Sequence, residues 1–262
     1  MSHTSTSGGE PRAVHHAKAI IAATSATGIR AKTIGGVGCW LHNVEHSEEA
    51  HAFVRDYHDV DFVMSRKAAV RGGQVLEELG YTPVSSFNSV QGETRLMYLS
   101  AADRIRIDVF IGSFEMCHTI PMEKPAFTPD AHPALNLVEL LLTKLQVVNC
   151  NEKDLHDLAS LFAFHAVGSG PDDIDGERFA RLLGKDWGLW RTATTNLEKV
   201  EAQAGRAPSH GSRITDGVRA LRALAEQAPK SPRWKARAVL GERVRWYEQP
   251  EEPEVEMEVQ VR

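Results

Sequence analysis

Two runs of alternating polar and apolar residues, RLMYL (95–99) and RIRIDVFI (104–111), flank an Ala-Ala-Asp turn. Period-two alternation on both sides of a short turn reads as an antiparallel hairpin, which commits this part of the chain to a sheet. In the second arm Ile105, Ile107, Val109 and Ile111 share one face, and Arg104, Arg106, Asp108 and Phe110 share the other. The hairpin is one of several short β-leaning runs before residue 125. Residues 32–34, 59–64 and 81–87 read as further strands. Helical stretches separate them over 14–29, 37–44 and 66–79, with a short helix or ordered loop at 47–54 behind a Ser N-cap. After Pro133 the pattern turns helical. Residues 135–148 and 153–165 form a pair, GSGP (168–171) breaks the chain, and further helices are expected over 175–183, 187–203 and 213–227.

The expected fold class is therefore α+β: a mixed β-sheet with flanking helices, followed by an all-helical C-terminal module. The divisions are a disordered tail at 1–12, an α/β domain at 13–125, a helical domain at 126–247 and an acidic tail at 248–262. A chain of 262 residues, 42% hydrophobic and 25% charged, can bury a sizeable core of this kind. Its formal charge of −5 argues against a global positive field that recruits nucleic acid, and a local basic groove stays open. Cys39, Cys117 and Cys150 are odd in number and widely spaced, so reduced thiols in a cytoplasm are expected. MSHTSTSGGEPR lacks the apolar core of a signal peptide, and no run of about 18 apolar residues offers a transmembrane helix. A cytoplasmic protein with no membrane partner is the expectation.

Chemistry enters at RDYHDVDFV (55–63). Asp59 and Asp61, two apart on a strand, point the same way and repel each other unless a cation sits between them. The plainer alternative is an edge strand whose solvated face carries two acids. Two other features stand in order around this pair. Gly35-Gly36 follows a short strand and opens a helix, and Asp108 lies mid-strand in the hairpin. Glycines at a strand-to-helix turn let phosphates approach backbone N–H groups. Carboxylates from neighbouring strands supply oxygen ligands for Mg²⁺, and paired metals can drive an in-line displacement.

GGVGCW, RDYHDVDFV and RIDVFI, in this order, resemble the nucleotidyltransferase fold of the DNA polymerase β-like superfamily. The resemblance covers residues 32–112. It implies that Asp59, Asp61 and Asp108 bind Mg²⁺ (or Mn²⁺), with Asp108 also acting as, or helping to position, the base for the acceptor hydroxyl. It further implies that Gly35 and Gly36 hold the phosphates of an NTP, ATP among them. Arg55 matches the R-x-x-x-D-[ILV]-D form of bacterial members that include the abortive-infection toxin relatives. LLLTKLQVVNCNEKDLHDLASLF is similar to a downstream pattern of that branch, which implies nucleotide-binding roles for Lys144 and for Asp154 or Asp157. FEMCH (114–118) resembles a group of uncharacterised bacterial nucleotidyltransferase-family proteins. Two departures stand out: a second Gly where Ser is common, and a longer insert at 43–54 that could reach the pocket or the acceptor.

The implied activity is transfer of a nucleotidyl group from an NTP to a hydroxyl with release of pyrophosphate. The acceptor is unknown: a small molecule, a tRNA end or a protein. The alternatives are a toxin-type enzyme paired with an antitoxin, and a nucleotide-binding module without turnover. Cys117, His118 and Cys150 lack closed zinc-site spacing. Trp187 and Trp190 read as helix packing, and Lys153, Asp154 and Asp157 also suit a helix start. The run SPRWKARAVLGERVRWYE (231–248) is basic and aromatic, and reads either as an RNA contact or as a helix over its own core.

Overall fold

The computed structural model describes residues 10–44, 50, 53–122, 132–206 and 209–250. Their architecture mixes α and β. Five strands, β1 (Ala31–Ile34), β2 (Asp59–Met64), β3 (Tyr81–Pro83), β4 (Arg95–Ser100) and β5 (Arg106–Ile111), form one mixed sheet in the order β1-β2-β5-β4-β3. β2 runs parallel to β5 and antiparallel to β1, and β4 and β5 form the hairpin legible in the alternation. Helices α1 (Arg12–Ala26) and α3 (Ala69–Glu78) cover one face of the sheet. There Val60, Phe62, Ile107 and Val109 pack with Val14, Ala17, Ile20, Val75 and Leu76. Helix α2 (Gly35–Asn43) leaves β1 without an intervening loop.

The expected strand over 81–87 stops after three residues. Pro83 has no N–H to donate, and the chain turns into a helix, α4 (Ser85–Gln91). Asn88 on that helix substitutes for a strand partner. Its Oδ1 accepts from Met97 N (2.7 Å) and its Nδ2 donates to Met97 O (3.1 Å), continuing the pairing of β4 through a side chain.

The second half is helical, as its periodicity predicts: α5 (Leu137–Leu145), α6 (Glu152–Phe164), α7 (Gly176–Leu183), α8 (Trp187–Gln203), α9 (Gly211–Gln227) and α10 (Pro232–Leu240). Two small strand pairs punctuate it: β6 (Ser113–Glu115) with β7 (Thr119–Pro121), and β8 (Val167–Gly168) with β9 (Ile174–Asp175) around the GSGP turn. The helices cover the other face of the sheet. Ile34, Val63 and Phe110 share one buried cluster with Leu140, Leu141, Leu158, Leu161 and Phe162. The backbone joins the halves as well, through Thr33 N to Pro133 O (2.9 Å) and Leu135 N to Thr33 O (3.0 Å).

Of the 43–54 insert, residues 45–49 and 51–52 lie outside the described residues, as do the tails at 1–9 and 251–262. Ala50 and Phe53 join the helical cluster. No described helix is long and apolar enough to cross a membrane.

Candidate functional site

β2 is an interior strand, flanked by β1 and β5, so the solvated-edge explanation for its two acids fails. The parallel register sets Asp61 beside Asp108 and Asp59 beside Arg106. Asp59, Asp61 and Asp108 therefore lie on the sheet face that carries Val63 and Phe110, under the helical half. Asp108 is fully buried, while Asp59 and Asp61 are partly open.

Three like charges on one buried face need compensation. Two arginines from the hairpin provide it. Arg106 reaches Asp59 Oδ2 (3.1 Å) and Asp108 Oδ2 (2.9 Å), and Arg95 Nε donates to Asp108 Oδ1 (3.0 Å). The Arg106–Asp108 pair is close but lacks hydrogen-bond alignment, so Asp108 Oδ2 is a buried acceptor without an aligned donor. Asp61 fares worst. Burial, then the charges of Asp59 and Asp108, push its carboxyl well above the usual carboxylate range.

Among the described residues no three His, Cys, Asp or Glu side chains converge as a ready metal cage. The donor set nevertheless fits a hard divalent cation. Three carboxylates share a face, one buried oxygen has no aligned donor, and burial with two neighbouring acids raises the Asp61 carboxyl, which a bound cation would offset. The Arg106 guanidinium, between Asp59 and Asp108, stands where such a charge is needed.

A second polar cluster lies alongside. Lys144 is buried on α5, a helix mostly of leucines, and its Nζ meets Asp157 Oδ2 (2.8 Å) and Asp154 Oδ1 (3.0 Å) on α6. Arg55 grips Asp157 with two hydrogen bonds, from Nε to Oδ1 (3.0 Å) and from Nη2 to Oδ2 (2.7 Å), and lies over the Tyr57 ring. Burial alone would lower the Lys144 pKa, but Asp157 and then Asp154 outweigh it and raise it above the usual lysine range. Burial would likewise raise Asp157, yet Lys144 and then Arg55 hold it below the ordinary value. Asp154 also completes a capping box with Asn151 at the start of α6, so the helix-start role and the contact with Lys144 coexist.

Gly35 and Gly36 connect the clusters. Gly35 has φ +66°, and a Cβ there would overlap Asp61 Oδ2. A Cβ on Gly36 would overlap Arg55 Nη2 and meet Tyr57 Cε1 at 2.9 Å. Ile34 precedes them as an extended N-cap without a side-chain cap, so the cap residue itself offers no acceptor to the first backbone N–H groups of α2. All nine residues singled out from the sequence thus fall into two adjoining clusters meeting at consecutive glycines.

Sequence reasoning missed Tyr57, Arg95 and Arg106 as site residues. Arg106 carried a signal, two positions before Asp108 on the same strand face. Arg95 pairs in register with Phe110, so its approach to Asp108 is visible only once the hairpin register is known. Compared with known proteins, the chain matches no protein-family model and no curated protein.

Proposed function

We propose that this chain is a nucleotidyltransferase that moves a nucleoside monophosphate from an NTP to an acceptor hydroxyl and releases pyrophosphate. The observation that supports it best is the junction at Gly35-Gly36. One glycine abuts Asp61 on the carboxylate face, and the next abuts Arg55 and Tyr57, with Arg55 bonded to Asp157 and Asp157 paired with Lys144. Phosphoryl transfer needs this pairing of carboxylates for a cation with basic groups and free N–H donors for phosphates.

Mg²⁺ or Mn²⁺ would be held by Asp59, Asp61 and Asp108, and when bound it supplies neutralising charge to the phosphates and acidity to the acceptor hydroxyl. The chain's own residues do the rest. The capless start of α2 offers N–H groups to an oxyanion, with room for close approach because Gly35 and Gly36 carry no side chain. Lys144 stays charged, held in place by Asp154 and Asp157, the latter also gripped by Arg55. Arg106 and Arg95 keep the carboxylates apart until the site is loaded, and Asp108, nearest to both, orients the acceptor proton.

One observation favours a second reading. Arginines already pair in charge with Asp59 and Asp108, which suits a nucleotide-binding module that does not turn over. α-³²P-labelled NTPs with Mg²⁺ and a cell extract fractionated into RNA, protein and small molecules separate the two. Label transferred by wild type and not by Asp61→Asn supports the enzyme and names the acceptor fraction. Tight NTP binding with no transfer in any fraction overturns it in favour of the binding module.

A further inference from the structure

The basic, aromatic run near the C-terminal end is untouched by the site above. Residues 230–245 hold six basic side chains (Lys230, Arg233, Lys235, Arg237, Arg243, Arg245) against one acid, Glu242, in a chain whose net charge is −5. Glu242 is itself paired with Arg191. A helix over its own core would bury apolar residues, but α10 contains no buried residue. That alternative fails.

The segment after α10 is held open by specific contacts. Arg237 lies over the Trp187 ring and donates to Gly241 O (2.8 Å) and Val244 O (2.6 Å). Trp246 Nε1 donates to Thr192 Oγ1 (3.0 Å), and Glu248 N donates to Cys117 O (3.0 Å) in the turn between β6 and β7. These ties leave a cleft of about 820 Å³ between α10, residues 245–248 and the β6–β7 turn. Trp234, Trp246 and Tyr247 stand half-buried in its walls, and Arg233 and Arg245 are exposed along it. Three acids also line it: Asp186 is occupied as the N-cap of α8, Glu115 accepts from Ser113 Oγ (2.5 Å), and Glu248 is exposed. Met116 lines the cleft with its Sδ 3.9 Å from Arg95 Nη1, and Arg95 holds Asp108. Met116 and Arg95 thus link the cleft's lining to the carboxylate face by direct contacts.

We infer that this cleft binds a single-stranded polynucleotide and directs its end toward Asp108. Basic side chains follow a phosphodiester backbone, and half-buried aromatic rings stack bases that are not paired. A duplex keeps its base faces internal and cannot use Trp234, Trp246 or Tyr247. The volume exceeds that of a single nucleotide, so a strand fits better than a free NTP. In naming the strand as the acceptor, the inference rests on the transferase reading; strand binding itself does not.

The test is fluorescence anisotropy of a 5′-labelled single strand of about twelve nucleotides, as RNA and as DNA, with the matching duplex, from about 50 to 200 mM KCl. Saturable binding of a single strand is expected, with the duplex at least about ten-fold weaker. The RNA and DNA arms show which sugar the cleft takes. Arg233→Ala with Arg245→Ala should weaken binding about ten-fold or more and flatten the log–log salt slope by about 1.4, two phosphate contacts' worth. The Lys versions should restore the slope, and Tyr247→Ala should weaken binding about five-fold or more at an unchanged slope. Absence of strand binding at low salt, equal binding of the duplex, or indifference to the paired arginine change overturns the proposal. Asp61→Asn is run in parallel and should bind the strand as wild type does. Binding without transfer by wild type would then sink the transferase reading alone, and transfer without strand binding would sink the cleft alone.

Discussion

At the scale of single residues, the site is built from groups that would each be unfavourable elsewhere. Gly35 combines a left-handed backbone with contact against Asp61. Gly35→Ala should therefore cost about 1–2 kcal/mol from φ alone. Its displacement of Asp61 should also reduce nucleotidyl transfer at least about a hundred-fold, since such positioning losses are of that order. Chemical denaturation and single-turnover assays read the two effects separately. Asp61 carries a testable sign. Its folded-state carboxyl lies above the unfolded value near pH 4, so it favours folding only below that pH and opposes folding once ionised. Metal-free Asp61→Asn should then melt higher than wild type at pH 7, with the gap closing as pH falls toward about 4. Added Mg²⁺ should raise the Tm of wild type and not of the variant; equal melting at every pH would contradict the first expectation. Asp157 has the opposite sign. Its lowered pKa stabilises above about pH 4 and loses that effect as pH falls through the folded value. Asp157→Asn breaks a buried pair to Lys144 and Arg55 and should cost about 3–5 kcal/mol at pH 7, less in acid, by urea titration. The three carboxylates and two glycines were legible because strand period and turn chemistry are local. Arg95 and Tyr57 were not, because their proximity depends on strand register and on the path of the chain between α2 and β2.

At the scale of elements, β2 and α4 carry different lessons. β2 begins with acids and ends in VM because one of its faces meets α1 and α3 and the other meets the helical half, so both are covered. Period-two alternation read from sequence cannot distinguish that from an exposed edge. The strand expected over 81–87 became β3 and α4 because a side chain took over the ladder. Asn88 supplies both a donor and an acceptor to the Met97 backbone, a substitution that no propensity scale registers. Asn88→Ala should leave the Met97 N–H, in a buried residue, without its partner and cost about 1–3 kcal/mol. Asn88→Asp keeps the acceptor and should recover roughly half of that loss in a thermal melt. If both variants melted like wild type, α4 would owe nothing to this pairing.

At the scale of the whole molecule, the switch from β to helical periodicity near residue 125 was plain in the sequence, whereas the manner in which the halves meet was not. Ile34, Val63 and Phe110 are sheet residues, yet they are buried in the cluster of the helices. No periodicity links residues that distant in the chain. Urea unfolding should accordingly be one transition. Tryptophan fluorescence is dominated by Trp187, Trp190, Trp234 and Trp246 in the second half, while far-ultraviolet dichroism reports all of the chain. The two probes should coincide in midpoint, and separated midpoints would show that the halves unfold apart.

The contact of Lys144 with Asp157, across from carboxylates made much earlier in the chain, has a consequence in time. Synthesis runs from the amino end, so Asp59, Asp61 and Asp108 leave the ribosome well before the lysine and its two aspartates. A nascent chain cut short in that interval carries acids, glycines and Arg55 but no Lys144 opposite them, and its sheet lacks the helices that bury Val63 and Phe110. Translation that aborts early thus yields a fragment with neither a covered core nor a complete Arg55–Asp157–Lys144 cluster. The order of residues along the message makes the joining of the two clusters one of the last events in the chain's synthesis.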